Sequence, residues 1–144
     1  MNLNSQMDTG HWILAEGIKL TEGSFGFIYE ITNTVTGKKY IGKKQCKSKL
    51  KRKPLKGKVN KRIEIKESDW KVYTSSSNEL NLDIEKFGKD KFVFTILREC
   101  GSKWELAYFE IKEQLDRNVL LTEDYYNGII NVRIGRPPKN FLIS

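Results

Sequence analysis

The sequence predicts a small mixed α/β (α+β) domain in which helices pack on a three-stranded sheet. Apolar residues alternate with a period of two in three short segments, as they do in half-buried strands. Two Ser-x-x-Glu sequences each precede a segment whose apolar residues recur at helical spacing. The chain has 144 residues, of which 38% are hydrophobic, enough to form the core of one domain.

The first two strands are predicted to form a β-hairpin. Residues 25–33, FGFIYEITN, alternate, and the turn sequence TVTG follows at 34–37. Residues 38–42, KKYIG, then supply the second strand. A third strand is predicted in residues 91–97, KFVFTIL, because its phenylalanines and isoleucine alternate.

Two helices are predicted to begin at capping boxes, at residues 76–79 and 102–105. The first helix extends over residues 76–87, and Gly88 ends it. We expect the second helix to bury one apolar stripe, formed by Trp104, Ala107, Tyr108, Ile111 and Leu115. A short last strand is predicted at residues 129–134, before an Arg-Pro-Pro sequence ends regular structure.

These elements divide the chain into an N-terminal extension, one domain and a tail. Residues 1–24 show no clear period and form the extension, whose shape the pattern leaves open. The domain covers residues 25–134, and residues 135–144 form the C-terminal tail. A lysine-rich insert at about residues 43–66 is expected to be a loop, or a short helix with loops, projecting from the hairpin.

The charge of the chain is concentrated in and beside this insert. The whole chain has 26 Lys and Arg residues against 18 Asp and Glu residues, a net charge of +8. Residues 38–66 alone hold 14 basic residues and one acid, Glu64, so the remainder of the chain carries −5. A long run of one sign favours an anionic polymer as the partner, and nucleic acid before an acidic protein or a membrane surface.

Several kinds of chemistry are excluded because the chain has a single histidine, His11, and two cysteines. Zinc sites built from Cys and His, Ser-His-Asp triads and histidine-based metal nucleases all need more such residues. Cys46 and Cys100 form no CxxC pair and are expected to be reduced thiols. Without an apolar run of membrane length or a signal peptide pattern, the chain is expected to be cytoplasmic.

Five short segments follow one another in a distinctive order. They are FIY at 27–29, YIG at 40–42, the SS, L, G, F and IL positions within 76–97, ELAYFE at 105–110 and NGIINV at 127–132. Together they resemble the GIY-YIG nuclease family, particularly its small phage-encoded and homing-endonuclease-like members. The resemblance covers residues 25–134. It implies a three-stranded antiparallel sheet flanked by helices, and metal-dependent hydrolysis of DNA phosphodiesters inside a bacterial host cell.

The two tyrosines of the hairpin are the implied centre of this chemistry. By the resemblance, Tyr29 is a general base or a water-positioning group, and Tyr40 supports the water and the phosphate. A phenol with a pKa of about 10 is a poor base at neutral pH unless cations favour its ionised form. The hairpin offers four such cations, Lys38, Lys39, Lys43 and Lys44.

The family also places an arginine at the site, as an electrostatic clamp for the charge of the transition state. Arg62 and Arg52 are the two candidates, and the spacing to the following Ser-Ser pair favours Arg62. Lys43 resembles a basic residue that some members use directly after the YIG motif. Many members have a histidine after the arginine. This chain has none there, and Lys66 or Tyr73 is the candidate replacement.

The resemblance assigns the metal and the phosphate to residues near the C-terminus of the domain. Glu110 would bind one Mg²⁺ (or Mn²⁺), completed by waters and substrate phosphate. Asn131 would hold the phosphate or a catalytic group. Asn127 is the other candidate for this role, but its position before Gly128 favours a turn residue. Basic residues expected to contact nucleic acid are Lys44, Lys51, Arg52, Lys53, Lys56, Lys58 and Lys61.

Two other functions remain open at the level of the sequence. A nucleic-acid-binding module of the same fold, weak or inactive as an enzyme, would bind DNA in a salt-sensitive way without cleaving it. A small interaction protein would use its basic segment on an acidic protein and would not bind DNA at moderate salt. Because one active centre cuts one strand, a double-strand break requires two chains, as in a homodimer on DNA, or two binding events.

Overall fold

A mixed sheet with one helix packed on each face forms the core of the protein. The computed structural model describes residues 7–139 and 141, apart from the side chains of residues 49–52. In chain order the elements are β1 (Trp12–Leu14), β2 (Gly26–Asn33), β3 (Lys39–Gln45), β4 (Lys47–Arg52), β5 (Arg62–Glu67), α1 (Asn78–Phe87), β6 (Phe92–Cys100) and α2 (Lys103–Asp116). Short 3-10 helices cover Trp70–Val72 and Lys89–Lys91.

The main sheet has four strands in the order β1-β6-β2-β3. Strands β6, β2 and β3 pair in antiparallel fashion, which confirms the predicted hairpin and third strand. The pairing sets Tyr29 directly opposite Gly42. Strand β3 is the outer edge of the sheet, so one side of its backbone needs partners from elsewhere.

The fourth strand, β1, comes from the segment expected to be an extension. It pairs in parallel with β6, and the side chain of Trp12 is 2% exposed within the core. The Trp12 indole donates a hydrogen bond to the carbonyl of Trp70. The sheet therefore begins before residue 25. Three residues are too few to show a period, which is why the pattern did not reveal this strand.

Alternation along β2 builds two apolar layers. Phe27, Tyr29 and Ile31 pack on the face covered by Leu80 of α1, together with Trp70. Ile28 packs on the opposite face, against the helix α2. Both cysteines are buried and free, one in each layer, as expected for reduced thiols.

Both helices begin at serine caps. The Ser102 hydroxyl accepts from the amide of Glu105 at 3.1 Å, as the capping box predicts. In α1 the cap is Ser77, which accepts from Leu80 at 3.2 Å, one residue later than predicted. Gly88 ends α1 with a φ of 95°, a value that favours glycine.

The expected buried stripe of α2 is wrong. The buried residues are Leu106 and Gln114, whereas Leu115 is 59% exposed. The Trp104 and Tyr108 rings stack on each other, and the ring of Phe141 from the tail covers Trp104 at 4.8 Å. Part of the predicted stripe of α2 thus packs against the tail and not against the sheet. As a result, the face that carries positions 106, 110 and 114 points to the sheet.

The basic insert forms a two-stranded antiparallel ribbon, β4–β5, instead of the expected loop or short helix. The sequence RIEIKE of β5 does alternate, but the surrounding lysines hide the pattern. Two hydrogen bonds from Ser68 close the base of the ribbon, one to the Cys46 carbonyl at 2.9 Å and one to the Gln45 carbonyl at 2.6 Å. The ribbon is therefore a direct continuation of the hairpin strand β3.

The predicted strand at residues 129–134 is also wrong, because that part of the chain is irregular. The segment just before it runs along the edge of β3 instead. Tyr125 forms an isolated parallel bridge with Lys39, and the Tyr126 amide donates to the Lys39 carbonyl at 2.7 Å. Within residues 7–139 and 141, no helix is long and apolar enough to cross a membrane.

Candidate active site

The two tyrosines of the hairpin meet over a glycine. The Tyr29 ring is 1% exposed and lies 6.1 Å from the Tyr40 ring, centroid to centroid. A Cβ atom at Gly42 would lie 2.5 Å from the Tyr29 hydroxyl and 2.9 Å from the Tyr40 ring. Such distances are too short for any side chain. Gly42 is therefore what allows both rings to converge on one point of β3.

A third tyrosine completes this cluster. The Tyr73 ring lies 6.2 Å from the Tyr29 ring, edge to face, and Tyr73 contributes to the raised pKa of Tyr29. His11 holds the backbone here through a 2.9 Å hydrogen bond between its Nε2 and the Tyr73 carbonyl. Of the two candidates for the missing histidine, Tyr73 is at the site, whereas Lys66 is exposed on β5. We call Tyr29, Tyr40 and Tyr73 the tyrosine cluster.

The phenols of Tyr29 and Tyr40 resist ionisation. Burial, followed by the neighbouring tyrosines and the charge of Glu110, raises the pKa of Tyr29 well above its usual value. Burial also raises the pKa of Tyr40, although a hydrogen bond from the Ser76 side chain opposes this shift. Both hydroxyls are consequently protonated at neutral pH. They can orient a water or a phosphate by hydrogen bonding without first losing a proton.

Glu110 faces the cluster from α2. Its side chain is 13% exposed, and its carboxylate lies 3.7 Å from the Lys43 ammonium group. Burial raises the pKa of Glu110, and Lys43 only partly opposes the shift. Within the described part of the chain, no three or more His, Cys, Asp or Glu residues group as metal ligands. A lone, half-desolvated carboxylate suits an ion that takes the rest of its shell from water and phosphate.

Two of the four hairpin lysines lie at the site. Lys43 pairs with Glu110, as described above. The Lys44 ammonium group lies 2.7 Å from Asp69 and 4.1 Å from the centroid of the Tyr73 ring. Lys38 and Lys39 are engaged elsewhere, 2.8 Å from Glu79 and 3.9 Å from Glu30 respectively. Lys44 therefore contacts the tyrosine cluster, whereas Lys43 is paired with Glu110.

The structure does not bring Arg62 to the tyrosine cluster. Arg62 begins β5 at the end of the ribbon farthest from the main sheet, paired in register with Arg52. Its side chain is exposed, and its Nε donates to the Lys53 carbonyl at 3.3 Å. The side chains of Lys51 and Arg52 lie outside the described residues. The remaining predicted nucleic-acid contacts of the insert, Lys53, Lys56, Lys58 and Lys61, are exposed.

Asn127 is a structural clamp on the hairpin and not simply a turn residue. Its side chain is buried and forms two hydrogen bonds with the backbone of Ile41, accepting from the amide at 3.0 Å and donating to the carbonyl at 2.8 Å. Gln114 of α2 donates to the same carbonyl at 3.0 Å. These side chains replace the missing neighbouring strand at the edge of β3. Asn131, predicted for the phosphate, is exposed in the irregular segment.

Replacing Asn127 with alanine is expected to destabilise the protein. The Ile41 amide would remain buried without a partner, which costs about 1–3 kcal/mol. Because Ile41 lies between Tyr40 and Gly42, catalytic rates should fall as well. Thermal unfolding of Asn127→Ala beside Asn131→Ala measures the difference, and equal melting temperatures in the two variants would contradict this role.

Sequence reasoning missed Gln114 and Ser76. Gln114 lies one helical turn after Glu110, on the same face of α2. Its position at the sheet would have been predictable once the sheet-facing side of α2 was known. Ser76 was assigned to a capping box, but the cap belongs to Ser77, and Ser76 hydrogen-bonds Tyr40 instead. Tyr40 and Ser76 are 36 positions apart in the chain, and local periodicity does not indicate a contact over such a separation.

The chain is similar to a known protein family and to a curated protein. The family model described as "Putative endonuclease segE, GIY-YIG domain" matches residues 12–130. A curated relative from Enterobacteria phage T4, described as "Putative endonuclease segE", is 28% identical over 103 residues, which are 72% of this chain. The match spans only 40% of the length of that relative. No solved structure matches the chain at a comparable level of significance.

Proposed function

The chain belongs to the GIY-YIG endonuclease family, and on this premise we propose that it hydrolyses phosphodiester bonds of DNA with the help of one divalent ion. The observation that carries the proposal is that the Tyr29 and Tyr40 rings lie 6.1 Å apart and that Glu110, paired with Lys43, lies close enough for its charge to raise the pKa of both phenols. Glu110 is 81 positions away from Tyr29 along the chain, yet its charge acts on both tyrosines.

DNA is the proposed substrate because of the charge beside the site. The strand β3 carries Lys43 and Lys44 past the tyrosine cluster and then continues into the basic ribbon. An open cavity of about 480 Å³ lies at this junction, lined in part by both lysines and by Ser48 and Ser68. A polyanion that lies along this track would meet cations from the site to the ribbon.

The proposed role of Tyr29 is to position the attacking water. Its raised pKa disfavours a phenolate base at neutral pH and so supports the water-positioning role. The Tyr29 ring packs against the rings of Trp12 and Tyr73, which limits its movement before substrate binds. Tyr40, oriented by Ser76, would hold the same water or a phosphate oxygen.

Glu110 is the proposed ligand of the divalent ion, Mg²⁺ or Mn²⁺. When bound, such an ion acts as a Lewis acid and stabilises the leaving oxygen. Lys43 keeps the Glu110 carboxylate oriented while no substrate is present. Lys43 and Lys44 are the proposed donors to the non-bridging oxygens of the phosphate, whose negative charge grows in the transition state. The ammonium groups thus take the place in the site that the sequence assigned to Arg62.

The test is cleavage of supercoiled plasmid by the purified protein with Mg²⁺ or Mn²⁺. We expect nicked or linear product, and its loss with EDTA and in Tyr29→Phe. Lys112→Gln is the matched control, since Lys112 pairs only with Asp116 on the outer side of α2. Product that persists in EDTA or in Tyr29→Phe would contradict the proposed mechanism.

A DNA-binding module without catalysis is the second candidate. It is favoured by one observation: among the described side chains, no arginine forms a hydrogen bond or ion pair with Tyr29, Tyr40 or Glu110. This candidate requires slowed migration of DNA at low salt and intact plasmid with every divalent ion. The plasmid experiment therefore separates the two functions directly.

A further inference from the structure

We propose that the β4–β5 ribbon enters the major groove of duplex DNA and contacts bases there, within about one helical turn of the cleaved phosphate. The inference rests on the proposed function, because the position of the cut is defined by the tyrosine cluster. It adds a sequence-recognition element that is separate from the catalytic residues.

The side chains of β5 have no internal packing role that would explain their composition. All six residues of β5 are exposed. Ile63 and Ile65 are each 64% exposed, so these apolar side chains bury little surface against the protein. An isolated two-stranded ribbon is marginal on its own. The isoleucines are therefore available for contact with a partner.

The net charge of the ribbon indicates the class of partner that it binds. Residues 47–67 contain ten Lys and Arg residues and two acids, Glu64 and Glu67. The resulting net charge of +8 equals that of the entire chain. Duplex DNA carries phosphate groups along its whole length. Each phosphate that a Lys or Arg side chain neutralises releases a counterion, and this release favours binding.

The width of the ribbon indicates which groove of DNA it enters. Neighbouring strands lie about 4.8 Å apart, and side chains widen the ribbon to roughly 10 Å. The major groove of B-DNA, about 12 Å wide, admits a two-stranded ribbon, whereas the minor groove is only about 6 Å wide. A ribbon with isoleucines and an arginine along β5 therefore fits the major groove.

The chemistry of β5 matches what the major groove displays. Apolar side chains contact the methyl group of thymine, which Ile63 and Ile65 can do. An arginine can donate two hydrogen bonds to the O6 and N7 atoms of guanine. Arg62 is anchored through its Nε to the Lys53 carbonyl at 3.3 Å, which limits the freedom of its side chain before DNA binds. Bases in contact with β5 would thus be thymine and guanine.

The distance from the site follows from the continuity of β3 and β4. Ile65 pairs with Lys49 and Arg62 pairs with Arg52, which lie seven and ten residues after Gly42. At about 3.3 Å per residue, these positions lie at most roughly 23–33 Å from Gly42. One base pair rises about 3.4 Å, so the contacted bases lie up to about 7–10 base pairs from the cut.

The test is selection of bound duplexes from a randomised DNA library, followed by mapping of cleavage sites on the selected sequences. We expect enriched thymine and guanine within about ten base pairs on one side of the cut. The Ile63→Ser/Ile65→Ser double variant and Arg62→Gln should each lose their part of the enrichment and still cleave. Lys58→Gln is the matched control on the ribbon loop. It should weaken binding to all sequences alike and lower the salt slope by about one.

Base analogues identify the groove. Uracil in place of thymine, or 7-deazaguanine in place of guanine, removes a major-groove group and should weaken binding at the enriched positions about tenfold. Inosine in place of guanine removes the minor-groove amino group and should have little effect.

Sensitivity to inosine alone would overturn the proposal, and so would an enrichment that both ribbon variants retain. Cleavage without enriched bases would overturn groove recognition and leave the nuclease intact. Enrichment without cleavage would contradict only the nuclease.

Discussion

Replacing Glu110 with glutamine is expected to abolish metal-dependent DNA cleavage and, at the same time, to stabilise the protein. Glu110 is the proposed carboxylate ligand, and loss of a metal worth several kcal/mol in the transition state lowers the rate by about a thousandfold or more. A structural glutamate would behave differently, because its removal would reduce stability along with activity. The two effects of opposite sign are therefore the signature of a functional carboxylate.

The gain in stability follows from the pKa of Glu110. Burial raises this pKa in the folded protein above its value in the unfolded chain. The folded state therefore favours the neutral acid, and this contribution to stability is lost as the pH rises through the folded pKa. At pH 7 the ionised carboxylate weakens folding, and glutamine removes that cost. We therefore expect Glu110→Gln to unfold at a higher temperature than the wild type at pH 7.

Thermal unfolding at several pH values checks this prediction. The difference between wild type and Glu110→Gln should disappear below the ordinary carboxyl pKa, where Glu110 is neutral in both states. Activity of the wild type should decline on acidification at a higher pH than for an exposed glutamate, since ionised Glu110 is needed to bind the ion. A lower melting temperature in Glu110→Gln at pH 7 would assign the residue to the fold.

Replacing Gly42 with alanine is expected to have the second-largest effect. The new Cβ would lie 2.5 Å from the Tyr29 hydroxyl and 2.6 Å from the ring carbon that carries it. Tyr29 is buried on all sides and cannot move away without displacing the rings of Trp12 or Tyr73. Overpacking of this kind costs about 1–3 kcal/mol of stability. The cleavage rate should fall about a hundredfold, because small displacements of a catalytic group are costly.

Gly128→Ala is the matched control for this substitution. A Cβ at Gly128 meets no atom within 4 Å, so this variant should unfold and cleave like the wild type. Melting temperatures and single-turnover cleavage rates of the two variants give the comparison. A wild-type cleavage rate in Gly42→Ala would show that activity does not depend on the close contact of the Tyr29 and Tyr40 rings with Gly42. That result would contradict the proposed site.

Local patterns were sufficient wherever a residue and its partners are close in the sequence. The hairpin was predictable because Tyr29 and Tyr40 lie on adjacent strands joined by a short turn. The cap at Ser102 was predictable because its partner, Glu105, is three residues away. The placement of Glu110 in a site came from the resemblance and not from its period, since the expected stripe of α2 was wrong.

Long-range packing decided the rest. The face of α2 that meets the sheet depends on the tail, whose Phe141 covers Trp104. Periodicity ranks faces by apolar content and cannot say which of two apolar surfaces meets the sheet. Similarly, only the structure shows that Asn127, and not Asn131, holds the backbone of Ile41. The immediate neighbours of the two asparagines in the sequence do not indicate which side chain reaches β3.

By itself, the sequence determined the family, the antiparallel hairpin and the chemical types available for catalysis, because each depends on residue identity or short-range spacing. The tertiary structure alone decided which cations reach the tyrosines. Lys44 does so because β3 passes the cluster, whereas Lys43 pairs with Glu110, and Arg62 does not reach the cluster because the insert folds into a ribbon that leads away from it. The path of a charged insert follows from backbone pairing, and a run of lysines does not specify that pairing.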